Sequence, residues 1–471
     1  MLFKNKMIGG KDMMHKTLKV VPSLDKNFVP AKKWYESFTE LAEKNAGPVV
    51  ELAIEQDGGL VFKHHIRILP HTAEYKSLNF RAVERLVKFL LWMKGGNRIY
   101  ISGCAALVDQ LNEAYSLSGA RGFDSNFLGE KIYGAPLEFI DCEELPVGVD
   151  SHSPLGRHLS GNRIGFDLGG SDRKCAAVID GKVVFSEEIA WDPYFEGNPD
   201  YHYQGIKDSI ARAAAHLPSV DAIGGSAAGV YIGNEVRAAS LFRGISPGDF
   251  QEHIQKIFFK IQKEWNVPME VVNDGEVTAL AGAMSMDSGS VLGISMGTSL
   301  AAGYVTNVGS ITPWLNELAF VPVDFSEDAP ADEWSGDIGC GVQYFSQQAV
   351  SRLIPIAGIT EIPEDMGKPE KLVEVQKLMA AGDERAAAIY QTIGTYFGYT
   401  IAHFADFYDI SKLLILGRVT SGQGGEDIIR YAQEVLDLEY PELAKKIELR
   451  TPSESDKRHG QAVAAASLPV L

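Results

Sequence analysis

The residues best placed to do chemistry lie in Asp167-Leu168-Gly169-Gly170-Ser171. A strand ending in a carboxylate and two glycines lets the main chain approach a bound group, and Ser171 offers a hydroxyl and an N–H to phosphate oxygens. The same kind of turn recurs in Gly293-Ile294-Ser295-Met296-Gly297-Thr298-Ser299. Facing each other, two such turns could hold an oligophosphate from both sides. Between them Asn273-Asp274 stands at a strand end that opens a helix. A carboxylate there can take a proton from a hydroxyl nucleophile; its plain structural alternative is a helix N-cap. Near the C-terminus, LLILGRVTSGQGGEDIIRYAQEVL reads as strand, glycine-rich turn (Gly417, Gly422, Gly424, Gly425) and helix, a shape that suits a flat adenine base. Each piece alone is also an ordinary hairpin, cap or βα loop. Their order along the chain is what points to chemistry.

The elements that must position these residues follow from periodicity. RIGFDLGGSDRKCAAVIDGKVVFSEEIAW, from Arg163, reads as strand, glycine turn, strand, Asp-Gly hairpin and strand. Helices are expected over Tyr203–His216 and Asp249–Trp265, with strands at Asp221–Gly224 and MEVVND and a helix at GEVTALAGAMS. SVLGISMGTSLAAGYVTNVGSI then repeats the three-strand unit, so one α/β module is duplicated. Upstream, a helix is expected near Pro30–Asn45, a hairpin around Asp57-Gly58-Gly59, and a helix over Arg81–Lys94 that stops at Gly95-Gly96. RIYISG, a helix over Cys104–Tyr115 and a linker over Glu144–Asn162 complete that part.

The chain has 471 residues, 45% of them hydrophobic and 23% charged, which excludes disordered, collagen-like and coiled-coil classes. Lys plus Arg number 44 against 62 Asp plus Glu, a net charge of −18 that opposes binding to nucleic acid or anionic membranes. Four scattered cysteines show no metal spacing and suggest no disulfide framework. The opening MLFKNKMIGGKDMMHK lacks the apolar run of a signal peptide, and no stretch is long enough to span a membrane, so a cytoplasmic location is expected.

The ordered set of phosphate turn, Asn-Asp, second phosphate turn and glycine-rich βα unit resembles the sugar kinase, heat-shock and actin superfamily. Within it the chain is most similar to the ROK family, over the stretch from about Arg163 to the C-terminus. DLGGSDRK resembles the first phosphate motif, and GGSAAGVYIGNEVRAAS, with Gly229, the sugar-side segment. VVNDGEVTALAGAM, GISMGTSLAAGYV, LNELAF and LILGRVTSGQGG resemble the segments that follow. The resemblance implies an α/β, duplicated RNase H-like, actin-type ATPase fold with an extra N-terminal α/β region. The first RNase H-like domain would span 161–285, regained by a last helix at 456–471, and the second 286–455. Residues 1–160 would form the extension.

It further implies ATP-dependent phosphorylation of a hydroxyl on a hexose-like sugar. Asp274 would be the catalytic base, with Asn273, Glu317 and Gly229 on the sugar. Asp167, Gly169, Gly170, Ser171, Gly297, Thr298, Ser299, Gly417 and Gly422 would bind ATP, and Asp167 would hold Mg²⁺ directly or through water. A small-molecule sugar is the expected partner, without nucleic acid or membrane. Family members are commonly dimers or tetramers, which leaves a homodimer open. A non-catalytic sugar or nucleotide sensor and an acid or acyl-sugar acceptor are the alternatives.

The sequence departs from the family in three ways. Phe320 stands at the usual sugar-orienting histidine, and SGDIGCGVQYFS holds one cysteine where a zinc motif is usual, so no structural zinc is expected. No helix-turn-helix is recognisable in residues 1–160, which disfavours a repressor. Instead RLVKFLLWMKGGNRIYISGCAALVDQLNEAY resembles in outline the chain from Gly398 to Leu436, a degenerate copy without a phosphate turn. Bland readings are expected elsewhere. His64-His65 is a strand-surface pair, and the aromatic run Tyr390–Tyr408 is core. Phe242-Arg243 is a possible contact to a hydroxyl or an anionic group.

Overall fold

A computed structural model describes residues 17–56, 58–149, 155–451 and 454–471. The opening MLFKNKMIGGKDMMHK, Asp57 of the first hairpin turn and residues 150–154 of the expected linker lie outside the described residues. Helix α1 (Ala31–Lys44) buries Trp34, Phe38 and Ala42, the four-residue spacing of one helix face. Strands β1 (Val49–Glu55) and β2 (Val61–Arg67) form the expected hairpin, turning through Gly58 and Gly59 at φ +86° and +80°. Helix α2 (Lys76–Lys94) ends at Gly95, φ +80°, against the ring of Tyr133. Then come β3 (Arg98–Ser102), α3 (Ala105–Ala114), the single turn α4 (Gly122–Asp124) continued by a π-helical stretch Ser125–Tyr133, and β4 (Glu138–Asp141). The sheet order is β2-β1-β3-β4.

The next unit is a five-stranded mixed sheet. Strands β5 (Asn162–Leu168), β6 (Asp172–Ile179) and β7 (Lys182–Ala190) form an antiparallel meander, and α5 (Pro199–Ala214) crosses to β8 (Ala222–Ala227), parallel to β5. A small hairpin of β9 (Val230–Ile232) and β10 (Glu235–Ala238) follows. The expected helix Asp249–Trp265 is broken into α6 (Pro247–Asp249), a π-helical Phe250–Ile254 and α7 (Ile257–Trp265). The interruption falls where the Gln255 carbonyl accepts the Val236 N–H of β10 at 3.0 Å. Strand β11 (Met269–Asn273) pairs parallel with β8, and α8 (Asp274–Ser285) leaves its end.

The last unit has β12 (Val291–Met296) and β13 (Leu300–Val305), then α9 (Gln347–Ile356), α10 (Lys368–Ala380) and α11 (Glu384–Phe404). Strand β14 (Lys412–Leu416), α12 (Gln423–Glu439), α13 (Pro441–Lys446) and β15 (Glu448–Arg450) complete a sheet of order β13-β12-β14-β15. The expected third strand of the second meander is reduced to single bridges from Ile311 to Val305 and Leu155. Pro313 has no N–H to extend a ladder, and the chain turns away there.

Finally α14 (Glu454–Ala466) crosses back onto β5 and β8. Two glycines make that contact possible, because a Cβ at Gly165 or Gly224 would run into the Ala462 or Ala465 carbonyl. Gly224→Ala is therefore expected to destabilise the protein by about 1–3 kcal/mol, seen as an earlier urea midpoint with unchanged slope.

The suggested copy of the C-terminal half in residues 49–145 does not carry through its hairpin. Strand order matches, but β1 runs antiparallel to β3 while β12 runs parallel to β14. The first hairpin thus enters its sheet with the opposite polarity. Nor is the N-terminal third a separate body, since its apolar core is continuous with that of the last unit through Trp34, Phe38, Phe325 and Tyr344.

Buried charges fasten the same junction. Arg85 of α2 makes a two-pronged contact with Asp337 at 2.9 and 3.0 Å, and Lys88, fully buried, reaches Asp337 at 2.7 Å and Asp124 at 3.3 Å. Arg121 spans Glu84 and Asp337, both at 2.5 Å. Asp337 belongs to the segment where a zinc motif is usual in the family. Its neighbour Cys340 is fully buried, with a thiol pushed up to about 12 by burial. No group of three or more His, Cys, Asp or Glu able to hold a metal occurs among the described residues. Nor is any helix among them long and apolar enough to cross a membrane.

Candidate active site

Three parallel strands, β5, β8 and β11, end at one edge, with Leu168, Ala227 and Asn273 in register. The carboxyl ends of parallel strands are where α/β sheets gather ligand-binding groups. Asn273 caps α8: its Oδ1 accepts the Gly275 N–H at 2.7 Å and its Nδ2 donates to the Gly229 carbonyl at 2.7 Å. The capping alternative for Asp274 is thereby taken by its neighbour. Asp274 Oδ1 accepts the Gly275 N–H at 3.0 Å, and no Lys, Arg or His pairs with it among the described residues. Burial, and next the charge of Asp167, push its carboxyl up to about 6.

Asp167 is buried on β5, where Ser226 Oγ donates to its Oδ1 at 2.7 Å and Lys174 Nζ lies 3.9 Å from its Oδ2. Its carboxyl is also raised, by burial. Glu317 arrives on the loop after β13, its N–H donating to the Trp92 carbonyl at 3.0 Å. Burial, then the Asp274 charge, push it up to about 7. Asp167, Asp274 and Glu317 thus form an electrostatically linked set beside Asn273 and Gly229.

The turns themselves are partly committed. The Gly169 amide donates to the Asp172 carbonyl and the Gly297 amide to the Ser299 carbonyl, each at 2.9 Å. Neither can then serve a phosphate as it stands, which leaves Gly170, Ser171, Thr298 and Ser299 to do so. The Ser171 hydroxyl donates to Asp172 Oδ2 at 2.9 Å, so it too would have to turn. Gly170 carries no side chain because a Cβ would strike the Tyr194 ring. Gly417, φ +104°, lies against Met296, so the expected adenine-side turn abuts the second phosphate turn. Gly422 begins α12 in open space at φ +69°. The Gln347 N–H at the start of α9 reaches the Gly297 carbonyl at 2.9 Å. Two groups result, one on each sheet, and no hydrogen bond or ion pair among the described residues joins one glycine turn to the other.

Several expectations resolve plainly. Phe242 is buried core, and Arg243 lies over the Tyr194 ring at 4.0 Å, beside the first turn rather than in the sugar segment. His64 stacks on Phe407 and is held neutral near 4 by burial, then by His65 and Lys94. Phe320 packs against Trp92, ring centroids 4.3 Å apart. The aromatic run of α11 is buried.

Sequence reading missed Glu276, whose Oε2 accepts the Tyr304 N–H at 3.2 Å and whose Oε1 accepts from Asn316. Its position three residues after Asn273 looks like a capping box, yet the side chain turns to β13 instead. It also missed Gln56, Leu60 and Tyr133, which line one cavity with Asn273 and Glu317. Nothing local could have marked them, because their neighbours in the pocket are distant in sequence.

Paired mixed sheets with a connecting helix and strand-end carboxylates define a duplicated RNase H-like, actin-type ATPase fold. The ROK family model matches residues 163–459, and the chain belongs to the ROK family. The glucokinase of Halalkalibacterium halodurans is 27% identical over 288 residues, 57% of this chain and 82% of that protein. The solved ROK hexokinase of Thermus thermophilus superposes with a TM-score of 0.52 at 18% identity, covering 65% of this chain and 97% of that one. A ROK family transcriptional regulator, homologous to the E. coli MLC protein, gives 0.53 at 20% identity over 66% and 79%.

Proposed function

We propose that the protein transfers the γ-phosphoryl group of ATP to a hydroxyl of a hexose-like sugar. The observation that carries this reading is Asp274: a half-buried carboxyl with no paired cation among the described residues, at the head of α8, beside Asp167, Glu317 and the Asn273–Gly229 contact. Family membership and the likeness to a glucokinase support it.

Asp274 takes the hydroxyl proton as that oxygen bonds to the γ-phosphorus and the bond to the ADP oxygen breaks. Asn273 and Glu317 orient the sugar, and the free amides of the two turns meet charge on the phosphates, since phosphoryl transfer is chiefly positioning and electrostatics. Asp167 would hold Mg²⁺, which when bound neutralises phosphate charge.

Only ionised Asp274 is a base. A carboxyl at about 6 is half protonated there and mostly protonated a unit below. Hence the Asp274 limb of kcat/KM is expected to level off above pH 7 and to fall towards tenfold per unit below about 6, with the Glu317 carboxyl, at about 7, titrating just above it. A rate independent of pH between 5 and 8 contradicts the assignment. A coupled ADP-release assay over a panel of neutral sugars tests the function itself. ATP and sugar binding without turnover on any of them would return the non-catalytic sensor reading.

A further inference from the structure

Leu60 and Gln56, in the β1–β2 turn, and Tyr133, at the end of the π-helical stretch, border a cavity of about 280 Å³ that also holds Asn273 and Glu317. Gln56 and Tyr133 are held there by contacts to neighbouring segments. Gln56 Nε2 donates to the Pro313 carbonyl at 3.1 Å and also to the Lys94 carbonyl, tying the turn to the segment that delivers Glu317. Tyr133 lies against Gly95, where a Cβ would meet both its hydroxyl and Leu315. Val230 and Ile232 of the β9–β10 hairpin also line the cavity and pack into the same apolar cluster as the N-terminal third. That hairpin also touches the π-helical stretch through β10. The N-terminal third therefore contacts both the segment that delivers Glu317 and the β9–β10 hairpin, two segments that line the pocket.

Size and charge limit what fits. A cavity of roughly 150 Å³ holds benzene, so about twice that volume suits around a dozen non-hydrogen atoms. That is one sugar ring. The lining includes Glu270, Glu276 and Glu317, and no Lys, Arg or His among the described residues.

We propose that the N-terminal third is an acceptor-specificity cap, in which Leu60 and Tyr133 close the sugar cavity and restrict it to a single uncharged ring. This rests on the sugar-kinase reading, whose expected sugar contacts Gly229, Asn273 and Glu317 line this cavity while Asp274 follows Asn273 in the chain. The cap would act on acceptor choice, not on nucleotide binding or proton transfer.

The test uses the full chain. Calorimetric binding and turnover are measured for neutral hexoses and N-acetylhexosamines, each beside a disaccharide containing it, and for a sugar phosphate and a uronic acid. The best monosaccharide is expected to exceed its disaccharide and the anionic sugars by roughly a hundredfold in kcat/KM. Leu60→Trp, which fills the cavity, should raise the monosaccharide KM about tenfold or more while kcat and the ATP KM stay within about twofold. Leu60→Ala should narrow the monosaccharide preference about tenfold.

Equal use of the disaccharide, or an acceptor KM unmoved by both Leu60 variants, overturns the cap and leaves the kinase standing. Sugar binding weakened by Leu60→Trp in a protein without turnover upholds the cap and removes the kinase. Failure of every sugar to bind removes both.

Discussion

Asp274→Asn is expected to lower kcat by about 10²–10⁴-fold, the range supplied by general-base catalysis, with the folded protein intact. The substitution keeps the size of the side chain and an oxygen to accept the Gly275 N–H, and removes only the ability to take a proton. Two small stability effects oppose each other. Loss of an acid at the first turn of α8 removes about 0.3–1 kcal/mol of dipole interaction. Loss of a half-buried charge beside Asp167 relieves the repulsion that helps raise the Asp274 carboxyl. The thermal midpoint should therefore barely move, and sugar binding should persist through Asn273 and Glu317. The limb near pH 6 should vanish with the carboxylate, leaving what Glu317 contributes. A kcat within about threefold of the parent would show that Asp274 is not the base.

Asp337→Ala should give the largest loss of stability, about 3–5 kcal/mol, because it leaves buried cations uncompensated. Arg85, Lys88 and Arg121 all use this carboxylate, and Lys88 has no exposure to water. Burial favours the neutral acid, but the charges of Lys88 and Arg85 prevail and hold Asp337 below the ordinary carboxylate value. Its contribution is then complete above the unfolded value, near 4, and lost as pH falls through the lower folded one. Urea unfolding near neutral pH should show the deficit, and it should shrink in acid, where the parent loses the same interaction. An unchanged midpoint would mean that the cluster does not fasten α2 to the 335–346 segment.

What the sequence disclosed was local. Asp167 before two glycines, Asn273-Asp274 before a helical pattern and Gly417 after an apolar strand could be read as turns and strand ends, because each signal sits within a few residues. The second meander was overread because the apolar spacing up to Ile311 continues the pattern, while a single proline and the competing Leu155 remove the third strand. The uses of Gly169 and Gly297 were missed because a glycine turn reads the same whether its amide faces a ligand or closes its own hairpin. Strand polarity in the N-terminal sheet has no local signature at all. Nor does the meeting of Gln56, Leu60 and Tyr133 with Glu317, which depends on long-range packing.

The most direct test is a crystal structure of the protein with a non-hydrolysable ATP analogue, Mg²⁺ and a bound monosaccharide. The expected density places the phosphates between Gly170-Ser171 and Thr298-Ser299, adenine against Gly417–Gly422, and a sugar hydroxyl within hydrogen-bond reach of Asp274. Nucleotide bound away from both turns, or a sugar whose hydroxyls all lie beyond reach of that carboxylate, would contradict it.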